Sequence, residues 1–276
     1  MTNYQLVDVF GSAPCSGNPL PVIAGADHLS TEEMQRITRW FSYSETAFLL
    51  PPTDPAADYH VRIFTLDREL PFAGHPTLGS CHAWLADGGV PRGAGRIIQQ
   101  CGAGLVELRQ TDILAFAAPP LIRSGDVDGA DLTMIAHFLR IDHSAILEAQ
   151  WVDNGPGWVG VMLESADAVL ALDPHGHWPK RIELGVVGSH PRGHDAAYEV
   201  RSFFSGERGV IIEDPITGSL NASIAQWLAG RFPARYVVSQ GTALGRQGRV
   251  TIDADGDTIW VGGRTITIAE GTTILA

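Results

Sequence analysis

Pro71-Phe72-Ala73-Gly74-His75-Pro76-Thr77-Leu78-Gly79 is a glycine-containing turn that runs into a short apolar helix. It has a counterpart in the second half of the chain, Glu213-Asp214-Pro215-Ile216-Thr217-Gly218-Ser219. A strand-like stretch of similar pattern precedes each turn: Val61-Arg62-Ile63-Phe64-Thr65 before the first, Val200-Arg201-Ser202-Phe203-Phe204-Ser205 before the second. The shared order of strand, turn and helix marks an internal duplication, and it predicts one site formed between the two halves.

Each turn offers unpaired backbone N–H groups at a helix start, where aligned peptide dipoles place roughly half a positive charge. Two such ends would hold a small carboxylate without an arginine. Gly74 and Gly218 allow close approach of the backbone, and His75 and Asp214 add directional hydrogen bonds. Taken singly, either turn reads as an ordinary cap, with Thr77 and Ser219 as the capping side chains. Taken together, with a histidine and an aspartate beside them, they point to a substrate site that includes Gly74, Gly218 and Ser219.

Outward from the turns, short strands alternate with a few helices, which is an α+β pattern. The first strand is Tyr4 to Phe10. Ser30 and Glu33 form a capping box that opens a helix through Met34, Ile37 and Trp40. Glu45 to Leu50 is a strand stopped by Pro51-Pro52. The helix after the first turn covers Leu78 to Ala86, and Ile97–Cys101, Leu105–Arg109 and Ile113–Ala117 form a meander. In the second half, helices are predicted at Leu132–Leu139, Ala166–Leu172 and Leu220–Ala229. Strands are predicted at Gln150–Asp153, Trp158–Leu163, Val250–Asp253, Thr258–Val261 and Thr265–Ile268, with an Asp255-Gly256 hairpin turn. Pro119-Pro120 is the best candidate boundary, giving halves of 1–118 and 119–276, with the C-terminal strand free to pack back on the first.

Composition fits a globular enzyme of 276 residues: 45% hydrophobic, 18% charged, long enough for a large core. The net charge of −12 comes without a Lys/Arg cluster, which argues against a nucleic-acid partner. No apolar run approaches the ~20 residues of a membrane span, and the N-terminal stretch lacks the pattern of a secretory signal. Cys15, Cys81 and Cys101 are an odd number without metal-type spacing, as expected of reduced thiols in a cytoplasm.

Several other chemistries find poor support. Lys180 is the only lysine and lies in a proline-containing stretch, which disfavours a Schiff base. Gly155-Pro156-Gly157-Trp158-Val159-Gly160 matches GxGxxG but leads into a strand-like run, so it is not a dinucleotide loop. His175-Gly176-His177 lacks a third metal ligand, and His190 and His194 flank a loop-like Pro191-Arg192-Gly193. Ser44, His75 and Asp214 suggest a hydrolase triad, but no GxSxG elbow exists. Neither a metal nor a cofactor is expected.

Glu45 is the candidate for the chemistry. It follows an amphipathic helix and sits among Ser44, Thr46, Ala47 and Phe48, with Phe41 and Leu49 near. A carboxylate in apolar surroundings is poorly hydrated, so its pKa rises and it becomes a competent proton carrier. Residue pattern alone leaves a surface glutamate at a strand start as the simpler alternative.

Gly17-Asn18-Pro19, Ser44-Glu45-Thr46-Ala47-Phe48, Pro71 to Gly79, Asn154-Gly155-Pro156 and Glu213 to Ser219 occur in an order spanning nearly the whole chain. In this the chain resembles the phenazine-biosynthesis (PhzF-like) isomerases, which share the diaminopimelate-epimerase fold. The resemblance implies two pseudo-symmetric domains, each an antiparallel sheet or barrel wrapped around a central helix. It implies Glu45 as the acid/base; on the residues themselves, His75 and Asp214 are expected as further catalytic residues that orient ring or amino substituents, and Ser44 in substrate binding. It also implies a homodimer and trans-2,3-dihydro-3-hydroxyanthranilate as the type substrate. Racemases of this fold carry one thiol in each half. Here Ala73 and Asp214 stand where those thiols are expected, which disfavours two-thiol racemisation and suits one carboxylate moving one proton as a double bond migrates.

The chain departs from the family pattern at Leu66 and Ser205, where prolines are usual, and at Leu220-Asn221-Ala222-Ser223. Asn221 either faces the pocket or assists the helix cap. A racemase or epimerase of the same fold working through carboxylates, and a catalytically silent carboxylate-binding protein, are the alternatives.

Overall fold

The computed structural model describes residues 2–174, 183–205 and 211–273. The His175-Gly176-His177 pair of histidines and Lys180 lie outside the described residues. The chain forms two compact units. One runs to Ala117 and resumes from Val261; the other is Ala118–Trp260.

The first unit is built from β1 (Thr2–Val9), β2 (Asn18–Ala24), α1 (Thr31–Phe41), β3 (Glu45–Leu50), β4 (Tyr59–Thr65), β5 (Glu69–Leu70), α2 (Gly74–Ala86), β6 (Arg96–Cys101), β7 (Gly104–Gln110) and β8 (Leu114–Ala117). The second contains β9 (Arg123–Asp126), α3 (Gly129–Leu139), β10 (Glu148–Asp153), β11 (Trp158–Met162), α4 (Ala166–Leu170), β12 (Glu183–Ser189), β13 (Tyr198–Ser205), β14 (Ile211–Asp214), α5 (Gly218–Trp227), β15 (Arg235–Gln240) and β16 (Gly248–Asp255). β17 (Thr258–Gly263) leads to β18 (Thr265–Thr273), which returns to pair antiparallel with β1.

The pairing repeats. β1 is antiparallel to β2, β2 parallel to β3, β3 antiparallel to β4, and β4 is antiparallel to β5 and parallel to β6. In the second unit the same order recurs in β10, β11, β12, β13, β14 and β15. α1 and α4 occupy the same connection, between the first parallel pair of each unit. The duplication seen in two turns therefore extends through six strands and two helices per unit.

Each repeat encloses its second helix. Gly74 through Cys81 in α2 and Gly218 through Ala225 in α5 are buried without interruption, as expected of a helix covered on all sides. Close packing depends on missing side chains. A Cβ on Gly79 of α2 would lie 2.5 Å from Leu20 Cδ2, and one on Gly185 of β12 would lie 2.4 Å from Leu220 Cδ1.

Both central helices begin earlier than the sequence predicts, at Gly74 and Gly218 rather than Leu78 and Leu220. Pro76 falls in the first turn of α2, where its missing N–H is not needed by the helix. The N-caps are consequently Ala73 and Thr217, not Thr77 and Ser219. β2, β5, β9, β12, β14 and β15 were not legible as strands. Pro19 and Pro21 obscure β2, and both precede Val22, where its ladder with β3 begins.

α1 starts at the predicted capping box: Ser30 Oγ accepts from the Glu33 N–H at 3.3 Å, and Glu33 Oε2 accepts from the Ser30 N–H at 2.9 Å. Met34 and Ile37 pack with Ile23, Leu29, Phe48 and Phe64, which fixes the helix on the sheet and delivers the chain to Glu45. Among the described residues, no helix is long and apolar enough to cross a membrane.

Candidate active site

Glu45 is the first residue of β3, with 16% of its side chain exposed. Its Oε2 is buried, 3.6 Å from Nε2 of His75. His75 is the second residue of α2 and 3% exposed. Burial pushes its pKa down to about 3, so the imidazole is neutral at any physiological pH. The other ring nitrogen, Nδ1, lies 3.3 Å from Nδ2 of Asn18. Gly74, the first residue of α2, is buried, and Ser44 is half-buried in the turn before β3. Glu45, Gly74 and His75 are thus brought together by β3 and the start of α2.

The loop that presents Asn18 is clamped from β1. The Asp8 carboxylate accepts from the backbone N–H of Ser16 at 3.1 Å and of Gly17 at 2.9 Å. Only glycine fits at position 17, because a Cβ there would be 2.2 Å from the Val9 carbonyl oxygen. Gln99 of β6 ties down the first turn of α2. It accepts from the Tyr59 hydroxyl at 3.0 Å and donates to Thr77 Oγ1 at 3.0 Å.

The second unit repeats this arrangement with different chemistry. The Asp153 carboxylate accepts from the Gly155 and Gly157 N–H groups at 2.7 Å each, holding the loop that carries Asn154. Asn154 donates to the Ser219 carbonyl at 2.9 Å, and the Trp158 indole donates to Ser219 Oγ at 3.2 Å. Gln240 of β15 accepts from the Thr217 N–H and donates to Thr217 Oγ1 and the Asp214 carbonyl. The Thr217 hydroxyl in turn donates to Asp214 Oδ2 at 2.5 Å. Asp214 is 7% exposed at the end of β14, and Gly218 opens α5.

The two helix starts share one further property. Side chains of Ser30, Asp128 and Ser165 cap α1, α3 and α4, whereas neither Ala73 nor Thr217 gives a side-chain cap to α2 or α5. No acidic residue occupies the first turn of either. These ends keep the partial positive charge that an anion would meet.

Several sequence expectations change in detail. Asn221 is fully buried and donates to the Thr217 carbonyl and to Gln240 Oε1, so it supports the turn. As N-caps, Ala73 and Thr217 are equivalent, and Asp214 lies three residues upstream of that position. Cys81 is buried inside α2 and burial raises its thiol to about 12, which removes it as a proton carrier. The GxGxxG match at Gly155–Gly160 leads into β11. His190 bonds Ser239 Oγ at 2.9 Å and stacks on His194 at 3.8 Å. Asp8, Asp153, Gln99 and Gln240 escaped sequence reasoning. Their signal is faint: each pair occupies matching positions in the duplicated pattern.

Two units that each wrap a sheet around a buried helix are a fold shared with solved structures of PhzF-family and hydroxyproline-epimerase proteins. A phenazine biosynthesis protein of the PhzF family from Bacillus anthracis superposes with a TM-score of 0.79 at 23% identity, covering 98% of each chain. A hydroxyproline epimerase from Agrobacterium vitis superposes with a TM-score of 0.59 at 12% identity, covering 98% of this chain and 91% of that one. The PhzC-PhzF profile, described as phenazine biosynthesis-like protein, matches residues 7–271, and the chain belongs to this family. It is 31% identical to the trans-2,3-dihydro-3-hydroxyanthranilate isomerase of Pseudomonas chlororaphis across 100% of both chains. It is 33% identical to an uncharacterized isomerase of Pasteurella multocida, covering 97% of this chain and 92% of that one. The chain is an enzyme of the isomerase class.

Proposed function

We propose that this protein is a cofactor-independent isomerase that moves a proton between carbons of a small, cyclic, unsaturated carboxylate. The observation that carries the proposal is the carboxylate of Glu45 facing the neutral, buried His75 at 3.6 Å beside an uncapped helix start. Glu45 takes a proton from one carbon, the double bond shifts, and the same carboxyl returns the proton to another carbon. One C–H bond breaks and one forms, so the reaction balances without an oxidant, reductant or second substrate.

The backbone N–H groups at Gly74 and His75 take the carboxylate, and Gly218 and Ser219 offer donors of the same kind. Neutral His75 orients a ring substituent and does not compete with Glu45 as an acid. Asp214, in the second unit, offers a carboxylate suited to an amino or hydroxyl group, and Ser44 contributes a hydroxyl beside Glu45. Trans-2,3-dihydro-3-hydroxyanthranilate is the substrate proposed, because relatives about 31% identical carry that isomerase name. The free thiols favour a cytoplasmic enzyme, and the family resemblance a homodimer.

The test is incubation of this compound in heavy water with wild type and Glu45→Gln. Wild type is expected to form product with deuterium on carbon, and Glu45→Gln to lose about 10²-fold to 10⁴-fold in rate while still binding. Recovery of racemised, deuterated substrate would make the protein an epimerase. Equal rates for the two proteins would remove Glu45 from the mechanism.

A further inference from the structure

We propose that Asn18 is a positioning residue that holds His75 as its Nε2–H tautomer, with that N–H aimed at Oε2 of Glu45. The inference rests on Glu45 and His75 being the reacting pair, and it assigns a function to the Gly17-Asn18-Pro19 loop.

A neutral imidazole has one N–H and one lone pair, so its two ring nitrogens must have opposite roles. Nδ1 faces the Nδ2 amide group of Asn18 at 3.3 Å. That group only donates, which makes Nδ1 the acceptor and leaves the proton on Nε2. Nε2 is buried, has no hydrogen-bond partner, and faces Oε2 of Glu45 at 3.6 Å. The opposite tautomer would set the Nε2 lone pair against a carboxylate oxygen, which is repulsive whichever way the Asn18 amide is turned. Both ends of the ring therefore require the same tautomer.

Asn18 is rigid enough for this role. It is fully buried, it precedes Pro19, and its loop is fixed by the two N–H bonds into Asp8 at a glycine that tolerates no Cβ. The relay therefore runs from Asp8 through the loop backbone to Asn18, His75 and Glu45. An Nε2–H directed at Oε2 favours the ionised carboxylate and occupies that oxygen's side. The proton that Glu45 carries between carbons is then borne on Oε1.

The decisive measurement is a long-range ¹H–¹⁵N correlation spectrum of the full chain with ¹⁵N-labelled histidine near neutral pH. The His75 signals are assigned by their loss in His75→Asn. Wild type is expected to show Nε2 protonated and Nδ1 bare; Asn18→Asp, an acceptor in place of a donor, is expected to put a proton on Nδ1. A wild-type His75 carrying a proton on Nδ1 overturns the proposal, as does Asn18→Asp folding with the tautomer unchanged. If Asn18→Asp does not fold, the wild-type spectrum decides alone. The spectrum is independent of turnover, so failure of the isomerase reading and failure of this one are separately visible.

Discussion

His75 binds no proton in the folded protein until the pH falls to about 3, whereas a histidine in the unfolded chain titrates near 6.5. Between those values the unfolded state holds more protons, so folding stability rises with pH across that window and falls on acidification. Above pH ~6.5 both states are neutral and the contribution vanishes; inside the window its slope reaches about 1.4 kcal/mol per pH unit. His75→Asn is expected to lose this part of the pH dependence, measurable as urea unfolding free energies at pH 5 and pH 7. Identical slopes for the two proteins would mean that His75 is not held neutral by burial. Glu45, His75 and Asp214 stand out in the sequence as candidates because they sit inside distinctive motifs. Their supports do not: Asp8, Gln99 and Gln240 act through contacts between strands and turns far apart along the chain.

At the scale of elements, the central helices show how far a local pattern reaches. Apolar runs after each turn identify α2 and α5, but their starts depend on neighbours. Pro76 reads as a break and is tolerated because it lies in the first turn. Gly185 of β12 sets the distance between its sheet and α5, since a Cβ there would meet Leu220 at three atoms between 2.4 and 3.0 Å. Gly185→Ala is expected to destabilise the protein by about 1–3 kcal/mol through overpacking. Chemical denaturation checks this, and a loss below a few tenths of a kcal/mol would show that Leu220 repacks freely. β2 was missed because prolines obscure a strand until its pairing with β1 is known.

At the scale of the whole molecule, the duplicated units carry the same ion pair in two environments. Arg62 on β4 forks onto Glu69 of β5, and Arg201 on β13 forks onto Glu213 of β14. Each guanidinium lies about 5 Å from the ring of the phenylalanine two residues on, at 5.1 Å for Phe64 and 5.0 Å for Phe203. Burial separates them: Arg62 and Glu69 are 21% and 38% exposed, Arg201 and Glu213 only 7% and 13%. Arg201 also donates to the carbonyls of Val169 and Leu172. Arg201→Ala is expected to cost about 3–5 kcal/mol by leaving a carboxylate and two carbonyls buried without partners. Arg62→Ala is expected to cost about 1 kcal/mol or less, because water screens the exposed pair. Thermal or urea unfolding of the two variants checks the difference; equal losses would sink it.

The amino-acid sequence by itself determined the duplicated order of strand, turn and helix, the capping box of α1, the family, and the acidic and imidazole groups most suited to proton transfer. These follow from local physics, since periodicity, capping and turn chemistry act over a few residues. Only the tertiary structure decided that β18 returns to β1, that Asn18 meets Nδ1 of His75, and that Gln240 and Asn221 brace the turn at Thr217. Each of those depends on close packing between distant segments, where a hydrogen bond exists or fails within a few tenths of an ångström. No spacing along the chain encodes such distances.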